Sequence, residues 1–420
     1  MFILLLWGCV DADFPECQSD EVLPELQSEP TWHADVRPLV EEHCSACHSP
    51  GGLAPIPLDT YESAAPLAEL MADNVHAQVM PPWLPVDCCR AIKDRKALDA
   101  EQRAVFVQWA QAGAPEGDPT EYIPTPVLPT GLDRVDLRLE MPEEYTPDPG
   151  GGTDDTRCFL IDWPEEERTY VTGFDVQPGA PQQVHHVTAL TVTRLALPTL
   201  QTLDALDRRP GWSCPGGLVL GATGWIGAWS PGWEAREMPE GTGQKMDPSD
   251  RVVLTMHYSV TSGEPQPDRT TIDLRLEEEV ESKLKSIPVY DPAWLVGLRI
   301  PADEPDYSIS YAMRPRSTRE IVGVNFHMHE RGISGSVGVL HADGSTECLL
   351  QIDNWDYEWQ GDYSFEEPLR LERDDKLFVE CHFDNTASNQ RLIDGVPEQP
   401  RTLSWKEDEE MCVAFVHTRK

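Results

Sequence analysis

The chain has 420 residues, and its 33 basic against 73 acidic side chains give a formal net charge of −40 at pH 7. Such a surplus of negative charge argues against nucleic acid as a partner, because the phosphates would be repelled. No apolar run reaches the roughly 20 residues that a membrane-spanning helix needs. The 11 cysteines are too many for an ordinary cytosolic enzyme and indicate an oxidising compartment with disulfides.

The first 30 residues predict an export signal and a tether. Residues 1–7 are apolar and precede Gly8 and Cys9, and residues 10–30 are acidic and polar. This pattern resembles the end of a bacterial lipoprotein signal with Cys9 as the lipidated residue, although the run is short and lacks a basic start. The alternative is a frayed apolar terminus. We expect an exported bacterial protein, in the periplasm or on the outer membrane, that contacts the membrane only through a lipid anchor at Cys9.

Residues 44–48 read Cys-Ser-Ala-Cys-His, the C-x-x-C-H spacing that attaches a c-type haem. The thiols of Cys44 and Cys47 can form thioether bonds to the haem vinyl groups, and His48 is then placed to be the proximal iron ligand. A disulfide or half of a zinc site is the alternative, but the sequence contains no second C-x-x-C. The motif predicts one covalent haem c.

Residues 31–113 predict one small all-α domain, similar to a cytochrome c. Apolar residues recur at helical spacing just before the haem motif. A second helix is expected after Asp99, which can cap it together with Gln102, and Gly113 and Pro115 should end it. A helix that leads into the motif and a closing helix are what a small cytochrome c needs to cover its haem.

The sixth iron ligand is predicted to be Met80, which lies in a Pro-rich loop after the haem motif. A thioether is a soft ligand that raises the potential of a haem. Met71 and His76 are the competing candidates.

Residues 114–130 carry five prolines and predict a stiff linker. Beyond it, short β-rich runs alternate with Gly, Pro and Asp turns, which is typical of β-sandwiches. The remaining length is too great for one ordinary sandwich, and a charged stretch at residues 277–286 predicts a boundary. The predicted fold class is multidomain, with the all-α cytochrome c-like domain at 31–113 followed by two all-β sandwich domains at 131–280 and 281–420.

Three histidines mark the first β domain. His257 lies on a strand whose alternate residues are apolar, so it faces away from the apolar side. His185 and His186 are neighbours and would point to opposite faces of a regular strand, so joint ligation requires a bulge or a strand end. Three imidazoles suit copper or zinc.

A second set of ligands is predicted in the second β domain. Period 2 places His327 and His329 on one face of a strand. Met411 is the third candidate, because alternation sends Met411 and Cys412 to opposite faces, and Cys381 is the expected partner of Cys412. Two imidazoles and a thioether can hold Cu(I) and Cu(II) in turn.

The run from about residue 154 to the C-terminus resembles the copper type II, ascorbate-dependent monooxygenase family. The resemblance rests on five ordered pieces: Asp155-Thr156-Arg157-Cys158, His185-His186, Met256-His257-Tyr258, His327-Met328-His329 and Glu410-Met411-Cys412. It implies two jelly-roll domains facing each other across an open cleft. The N-terminal part is similar to the cytochrome c-like domains found ahead of such enzymes in bacteria.

The resemblance also implies roles for individual residues. It assigns His185, His186 and His257 to an electron-transfer copper, and His327, His329 and Met411 to the copper that binds dioxygen. It implies the disulfides Cys158–Cys214 and Cys381–Cys412.

The chain departs from the peptide-amidating members of the family at the substrate anchor. Asn325 stands where those members carry an Arg that grips a carboxylate, and Val413 and Phe415 stand where they carry Asn and Tyr. Thr255 replaces a Gln two residues before the third histidine. We therefore do not expect peptide amidation.

These features predict a copper-dependent monooxygenase that hydroxylates a C–H bond of a small substrate with dioxygen. The expected cofactors are two coppers and one haem c, and the electron donor is an external redox protein or an ascorbate-like reductant. The alternatives are a copper-binding or electron-transfer protein without catalysis, and zinc in the three-histidine site. Trp355, Tyr357 and Trp359 are interpreted as core residues, and Cys348 as a buried free thiol.

Overall fold

The computed structural model describes residues 22–124, 131–150, 152–214, 221–233, 235–261, 264–390, 392–393, 396–405 and 409–420. The predicted lipidation site Cys9 and the last part of the predicted linker lie outside these residues. Within the described part of the chain, no helix has the length and apolar character needed to cross a membrane.

The helices of the described residues are short and lie mostly in the N-terminal region. The α-helices are α1 (Arg37–His43), α2 (Tyr61–Ala64), α3 (Ala68–His76), α4 (Ala100–Gln111), α5 (Leu197–Leu206) and α6 (Trp294–Gly297). A π-helical turn covers Trp32–Val36, and 3₁₀ turns cover Ala65–Leu67, Pro119–Glu121 and Ala387–Asn389. Asp99 and Gln102 form the predicted capping box at the start of α4, which confirms that part of the sequence analysis.

The rest of the chain is built from strands. Up to residue 283 they are β1 (Leu137–Glu140), β2 (Asp154–Asp162), β3 (Thr169–Gln177), β4 (Val184–Val192), β5 (Trp212–Ser213), β6 (Ala222–Trp229), β7 (Arg236–Glu237), β8 (Thr242–Met246), β9 (Arg251–Ser259), β10 (Thr271–Glu277) and β11 (Ser282–Lys283). The later strands are β12 (Lys285–Val289), β13 (Tyr307–Met313), β14 (Arg319–Met328), β15 (Gly332–Leu340), β16 (Thr346–Ile352), β17 (Asp362–Leu371), β18 (Lys376–Phe383), β19 (Leu392–Ile393), β20 (Val396–Pro397) and β21 (Cys412–Arg419).

Strands β1 to β11 form two sheets that we call the first sheet pair. One sheet has the order β1-β10-β3-β8-β11 with β7 beside β3, and the other has the order β5-β2-β9-β4-β6. Apolar residues from both sheets share one buried core, to which alternate residues of β9 contribute, among them Val252, Leu254, Met256 and Tyr258. The predicted alternation along β9 is therefore present, and it leaves His257 on the opposite face.

Strands β12 to β18 and β21 form the second sheet pair. Its sheets have the orders β12-β21-β14-β17 and β13-β18-β15-β16, and they bury a second apolar core between them. β14 lies between β21 and β17, with His327 opposite Val413 and Met328 opposite Cys412. This register places the segment before β21 beside the end of β14.

The predicted fold class, an all-α cytochrome c-like domain followed by two jelly-roll sandwiches, is wrong. The described chain is mostly β, with 37% strand and 16% helix, and shows no obvious all-α cytochrome domain at the N-terminus. The N-terminal helices do bury Trp32, Phe106 and Trp109 together, but the longest of them, α4, has 12 residues. Helical periodicity could not show that part of this region packs on a sheet whose strands lie far away in the sequence.

Residues 83–93 run along the second sheet pair. Pro85 and Ile92 form antiparallel bridges with Ile352 and Phe365. The Arg90 guanidinium donates to the Glu347 carboxylate at 2.6 Å, and Cys89 is disulfide-bonded to Cys348. Residues 83–93 therefore attach the N-terminal region to the second sheet pair, although they belong to the segment that was predicted to be an independent domain.

The two sheet pairs meet around the buried carboxylate of Asp362. It accepts hydrogen bonds from the Trp225 indole N–H at 2.5 Å and from His417 Nε2 at 2.9 Å, and it forms an ion pair with Arg236. Burial lowers the pKa of Arg236 to about 10 and lowers that of His417 as well. Because Trp225 and Arg236 come from the first pair, this buried cluster fixes the two pairs against each other.

Candidate metal centres and haem motif

The first histidine group lies on two adjacent strands, β4 and β9. The register between them shifts between Val184 and His186, so His185 is the extra residue of a β-bulge. The bulge allows His185 and His186 to turn toward the same side, the condition that joint ligation requires. His257 faces His186 directly in the ladder. A local irregularity in β4 therefore brings the three side chains together.

The ring nitrogens of the first group converge. The Nδ1 atom of His186 lies 3.1 Å from Nδ1 of His257 and 3.5 Å from Nδ1 of His185. One nitrogen from each of these histidines lies within 4.8 Å of the others, as in a metal-binding cluster. Burial lowers the pKa of His185 to about 3 and holds that of His186 well below its usual range. The rings of His185 and His186 therefore favour the neutral form, which is the form that binds a metal.

Two carboxylates that no sequence pattern indicated flank this group. His257 Nε2 donates to Asp154 Oδ1 at 3.0 Å, which leaves its Nδ1 lone pair directed at the other two rings. Glu358 Oε2 lies 3.5 Å from His185 Nε2, and burial raises the pKa of Glu358 to about 7. Asp154 stands beside the Asp-Thr-Arg-Cys piece of the sequence resemblance, but nothing in its local sequence indicates a contact with His257.

The second histidine group lies at the end of β14. The rings of His327 and His329 have centroids 4.9 Å apart. His327 Nδ1 donates to Gln360 Oε1 at 2.5 Å, and its buried Nε2 has no hydrogen-bond partner among the described residues. His329 Nδ1 donates to the Glu409 carbonyl at 3.3 Å. Each ring thus donates a hydrogen bond from Nδ1 to an oxygen, so that Nε2 carries the lone pair. This is the usual arrangement of a metal-binding histidine.

Met411, the third predicted ligand of this group, is buried just before β21. Its neighbour Glu410, which is also buried, accepts the backbone N–H groups of His329 at 3.1 Å, Arg331 at 2.6 Å and Met411 at 3.3 Å. Burial raises the pKa of Glu410 to about 8. One carboxyl group therefore ties the segment that carries His329 to the segment that carries Met411.

Residues 353–361, between β16 and β17, lie between the two histidine groups, and we call them the bridging segment. The Tyr357 ring centroid lies 6.0 Å from those of both His257 and His329. Trp359 lies 5.0 Å from His185, and Gln360 bonds His327 as described. Trp355 packs against the core of the second sheet pair, which confirms its interpretation as a core residue. Tyr357 and Trp359 are half-buried residues of a loop, so the same interpretation is wrong for them.

The haem motif lines a cavity that also reaches the first histidine group. The cavity has a volume of about 560 Å³, and Cys44, Cys47 and His48 lie in one part of its wall and His185 and Trp359 in another. Met80, Met71 and His43 line it too, whereas His76 does not. Its size falls in the range of cofactor sites.

The motif residues have the chemistry that haem attachment requires. Cys44 and Cys47 are free thiols, and burial raises their pKa values to about 12 and about 11. His48 Nδ1 donates to the Ile56 carbonyl at 2.7 Å, which leaves the Nε2 lone pair for a metal. A fixed imidazole and two thiols beside an apolar cavity fit a covalently attached haem.

The disulfides of the β region have the pairing that the resemblance implied. Cys158 is bonded to Cys214, and Cys381 to Cys412. The interpretation of Cys348 as a free thiol is wrong, because it is bonded to Cys89 across 259 residues of sequence. Cys88 is disulfide-bonded as well.

Residues 304–418 match the family model of the copper type II ascorbate-dependent monooxygenase, C-terminal domain. The match covers about a quarter of the chain and includes all three predicted ligands of the second group. It supports a copper-dependent monooxygenase in general, for which dioxygen and an oxidisable substrate are the partners and ascorbate a candidate reductant. The first histidine group and the haem motif lie outside the matched residues, and no curated protein matches the chain.

Two matching solved structures are distantly similar to the chain. A two-domain protein of unknown function from Bacteroides fragilis is 10% identical with a TM-score of 0.16, over 66% of this chain and 94% of that chain. A Paenibacillus xanthan lyase is 9% identical with a TM-score of 0.18, over 68% of this chain and 25% of that chain.

Proposed function

We propose that this protein is a copper-dependent monooxygenase that hydroxylates a C–H bond of a small molecule and receives electrons through a haem c at Cys44 and Cys47. One observation carries the proposal: four histidines from two sheet pairs contact one bridging segment, beside a cavity that the haem motif lines. Copper in such sites supplies one-electron transfer and dioxygen activation, and haem supplies a one-electron carrier.

Two sets of residues would hold the two coppers. His185, His186 and His257 would hold one copper, and His327, His329 and Met411 the other. Asp154, Gln360 and the Glu409 carbonyl fix the tautomers of His257, His327 and His329, so that each ring presents a lone pair.

Trp359 connects the haem motif to the first histidine group. It lines the cavity of the motif and contacts the His185 ring. Met80 lies in the wall of the same cavity and is the proposed sixth iron ligand. The cavity is therefore the proposed route by which electrons from an external donor reach the first copper.

Haem and metal stoichiometry of the exported full-length protein, reconstituted with copper, tests the proposal. We expect one haem and two coppers per chain in the unaltered protein. His257→Ala should lose one copper, and His327→Ala should lose the other. His341→Ala is the matched control, since that side chain pairs with Glu347 and Asp375 far from both groups. Retention of both coppers in both variants would overturn the assignment of the sites.

Catalysis and electron supply need separate measurements. Substrate-dependent dioxygen uptake with a hydroxylated product is expected, and uptake that yields only peroxide would favour a copper-binding or electron-transfer protein without catalysis. Chemically reduced haem should be reoxidised on mixing with the oxidised, copper-loaded protein. Haem that stays reduced would contradict the proposed electron route.

A further inference from the structure

Helix α5 carries apolar side chains on its exposed side. Leu203 is 40% exposed and Leu206 is 76% exposed, and their spacing of three residues places them on the same side of the helix. Leu195, just before the helix, is 85% exposed. The helix has one charged residue, Asp204, although charged residues make up 25% of the chain. We call Leu195 and the exposed side of α5 the α5 patch.

The buried side of α5 fixes the direction in which the patch faces. Leu200 packs in an apolar cluster with Trp212 and Trp225. Asp207, the residue after the helix, accepts a hydrogen bond at 2.7 Å from the guanidinium of Arg157, which is fully buried. Rotation of the helix would break both contacts. The leucines of the patch are therefore held at the surface by the packing of the first sheet pair.

Arginines lie at both ends of the α5 patch. Arg194 precedes it, and Arg208 and Arg209 follow the helix. Arg209 pairs with Asp148 at 3.1 Å, whereas Arg194 and Arg208 are exposed and form no ion pair with another described residue. Residues 193–211 contain three arginines and two aspartates. In a chain with a net charge of −40, this apolar surface thus has a local excess of positive charge.

A lipid surface matches this combination of side chains. Helices that lie in a membrane interface place leucines among the acyl chains and arginines beside anionic headgroups. The net negative charge of the protein opposes such binding only weakly, because charges more than about 8 Å away are largely screened at physiological ionic strength. A second copy of the chain fits less well, since a two-fold contact through the same patch would bring its arginines together.

We propose that the α5 patch is a docking surface for an anionic phospholipid bilayer. Leu203 and Leu206 enter the interface together with Leu195, and the guanidinium groups of Arg194 and Arg208 contact lipid phosphates. With 10 residues, α5 is too short to cross the hydrocarbon core and lies in the plane of the interface. The contact requires neither haem nor copper, so it does not depend on the proposed function.

Flotation with lipid vesicles tests the proposal. The full-length chain carries Cys9→Ser, so that no lipid anchor can form at the predicted site. It is mixed with vesicles of phosphatidylcholine alone or of phosphatidylcholine with phosphatidylglycerol. We expect binding at least about tenfold tighter to the vesicles that contain phosphatidylglycerol, because two arginines without ion-pair partners gain anionic phosphates. No binding to these vesicles, or equal binding to both kinds, would overturn the proposal.

Substitutions of the leucines locate the contact. Leu203→Glu/Leu206→Glu should weaken binding to the anionic vesicles at least about tenfold, because carboxylates replace the side chains that enter the interface. The melting temperature should not change, since both positions are exposed. Leu295→Glu/Val296→Glu, at an exposed apolar pair of α6, is the matched control and should bind as before. Equal effects of the two double variants would contradict the assignment to α5.

Two further measurements separate the arginines from a rival occupant. Arg194→Gln/Arg208→Gln should remove the preference for phosphatidylglycerol, and a preference that persists would contradict the role of these arginines. Sedimentation velocity without lipid should show a monomer. A dimer that dissociates in Leu203→Glu/Leu206→Glu would assign the patch to a second copy of the chain and overturn the proposal.

Discussion

The two histidine groups are built in different ways. The first lies inside one sheet, where β9 has β2 and β4 on either side, and a bulge in β4 supplies the only irregularity it needs. The second lies at the end of β14, and its third proposed ligand, Met411, precedes the paired part of β21. The first group is therefore fixed by ladder hydrogen bonds, whereas the second also depends on the hydrogen bonds of Glu410 and on the Cys381–Cys412 disulfide.

This difference predicts that the second group is the more easily disrupted of the two. Its geometry depends on Glu410, which joins the segments of His329 and Met411, and on the Cys381–Cys412 bond next to Met411. A group held by few contacts is also the one whose ligands can shift when a molecule binds.

The largest difference between the groups is expected in Glu410→Ala. The substitution leaves three buried N–H groups without their acceptor and should lower the free energy of unfolding by about 4 kcal/mol. The copper of the second group should be lost while that of the first is kept. Copper stoichiometry and chemical denaturation measure both effects, with the exposed Glu372→Ala as control. Equal loss from both groups would contradict the comparison.

The two disulfides allow a direct test with matched variants. The double variants Cys381→Ser/Cys412→Ser and Cys158→Ser/Cys214→Ser should each lose about 3 kcal/mol of unfolding free energy, because each bond closes a loop of moderate length. Only the first variant should also weaken copper binding, by about tenfold at the second group. Competition with a copper chelator measures the affinities. A similar loss of copper in the second variant would show that the ladder alone does not hold the first group.

The hydrogen bonds that orient the rings are expected to act locally. Asp154→Ala should weaken copper at the first group by about tenfold, and Gln360→Ala should do the same at the second, because each removes an oxygen that fixes a ligand tautomer. Neither should affect the other group. The same chelator competition distinguishes the two outcomes, and a cross-effect would indicate that the groups are coupled more tightly than their contacts suggest.

The smallest effect is expected at Tyr357, whose ring contacts one histidine of each group at equal distance. Tyr357→Ala removes both ring contacts and should weaken both coppers by about threefold. Tyr357→Phe keeps the ring and serves as the control. A loss confined to one group would show that the bridging segment supports that group alone.

The sequence predicted those parts of the molecule that have a local periodic or spacing signal. Alternation placed His257 off the apolar face of its strand, and the conflict between neighbours His185 and His186 required the bulge that the structure contains. Asp99 and Gln102 marked the start of α4. In each case the deciding interaction lies within a few residues or within one strand.

The missed features all depend on contacts between segments far apart in sequence. Tyr357 and Trp359 have the spacing of a strand, but they lie in a loop, where their rings contact histidines instead of packing in a sheet. Cys348 reads as an isolated thiol because its partner, Cys89, lies 259 residues away. The all-α interpretation of residues 31–113 failed for the same reason, since helical periodicity cannot show that residues 83–93 pack on a distant sheet.

The bond between Cys89 and Cys348 has a consequence for the order of biosynthesis. Because 259 residues separate the two cysteines, the bond can close only after most of the chain has been made. The same delay applies to the bridges of Pro85 and Ile92, whose partners also belong to the second sheet pair. The N-terminal region therefore cannot complete its folding as it emerges. The segment that follows Cys44 and Cys47 stays unanchored until the second sheet pair has been made, and late disulfide formation would then lock it in place.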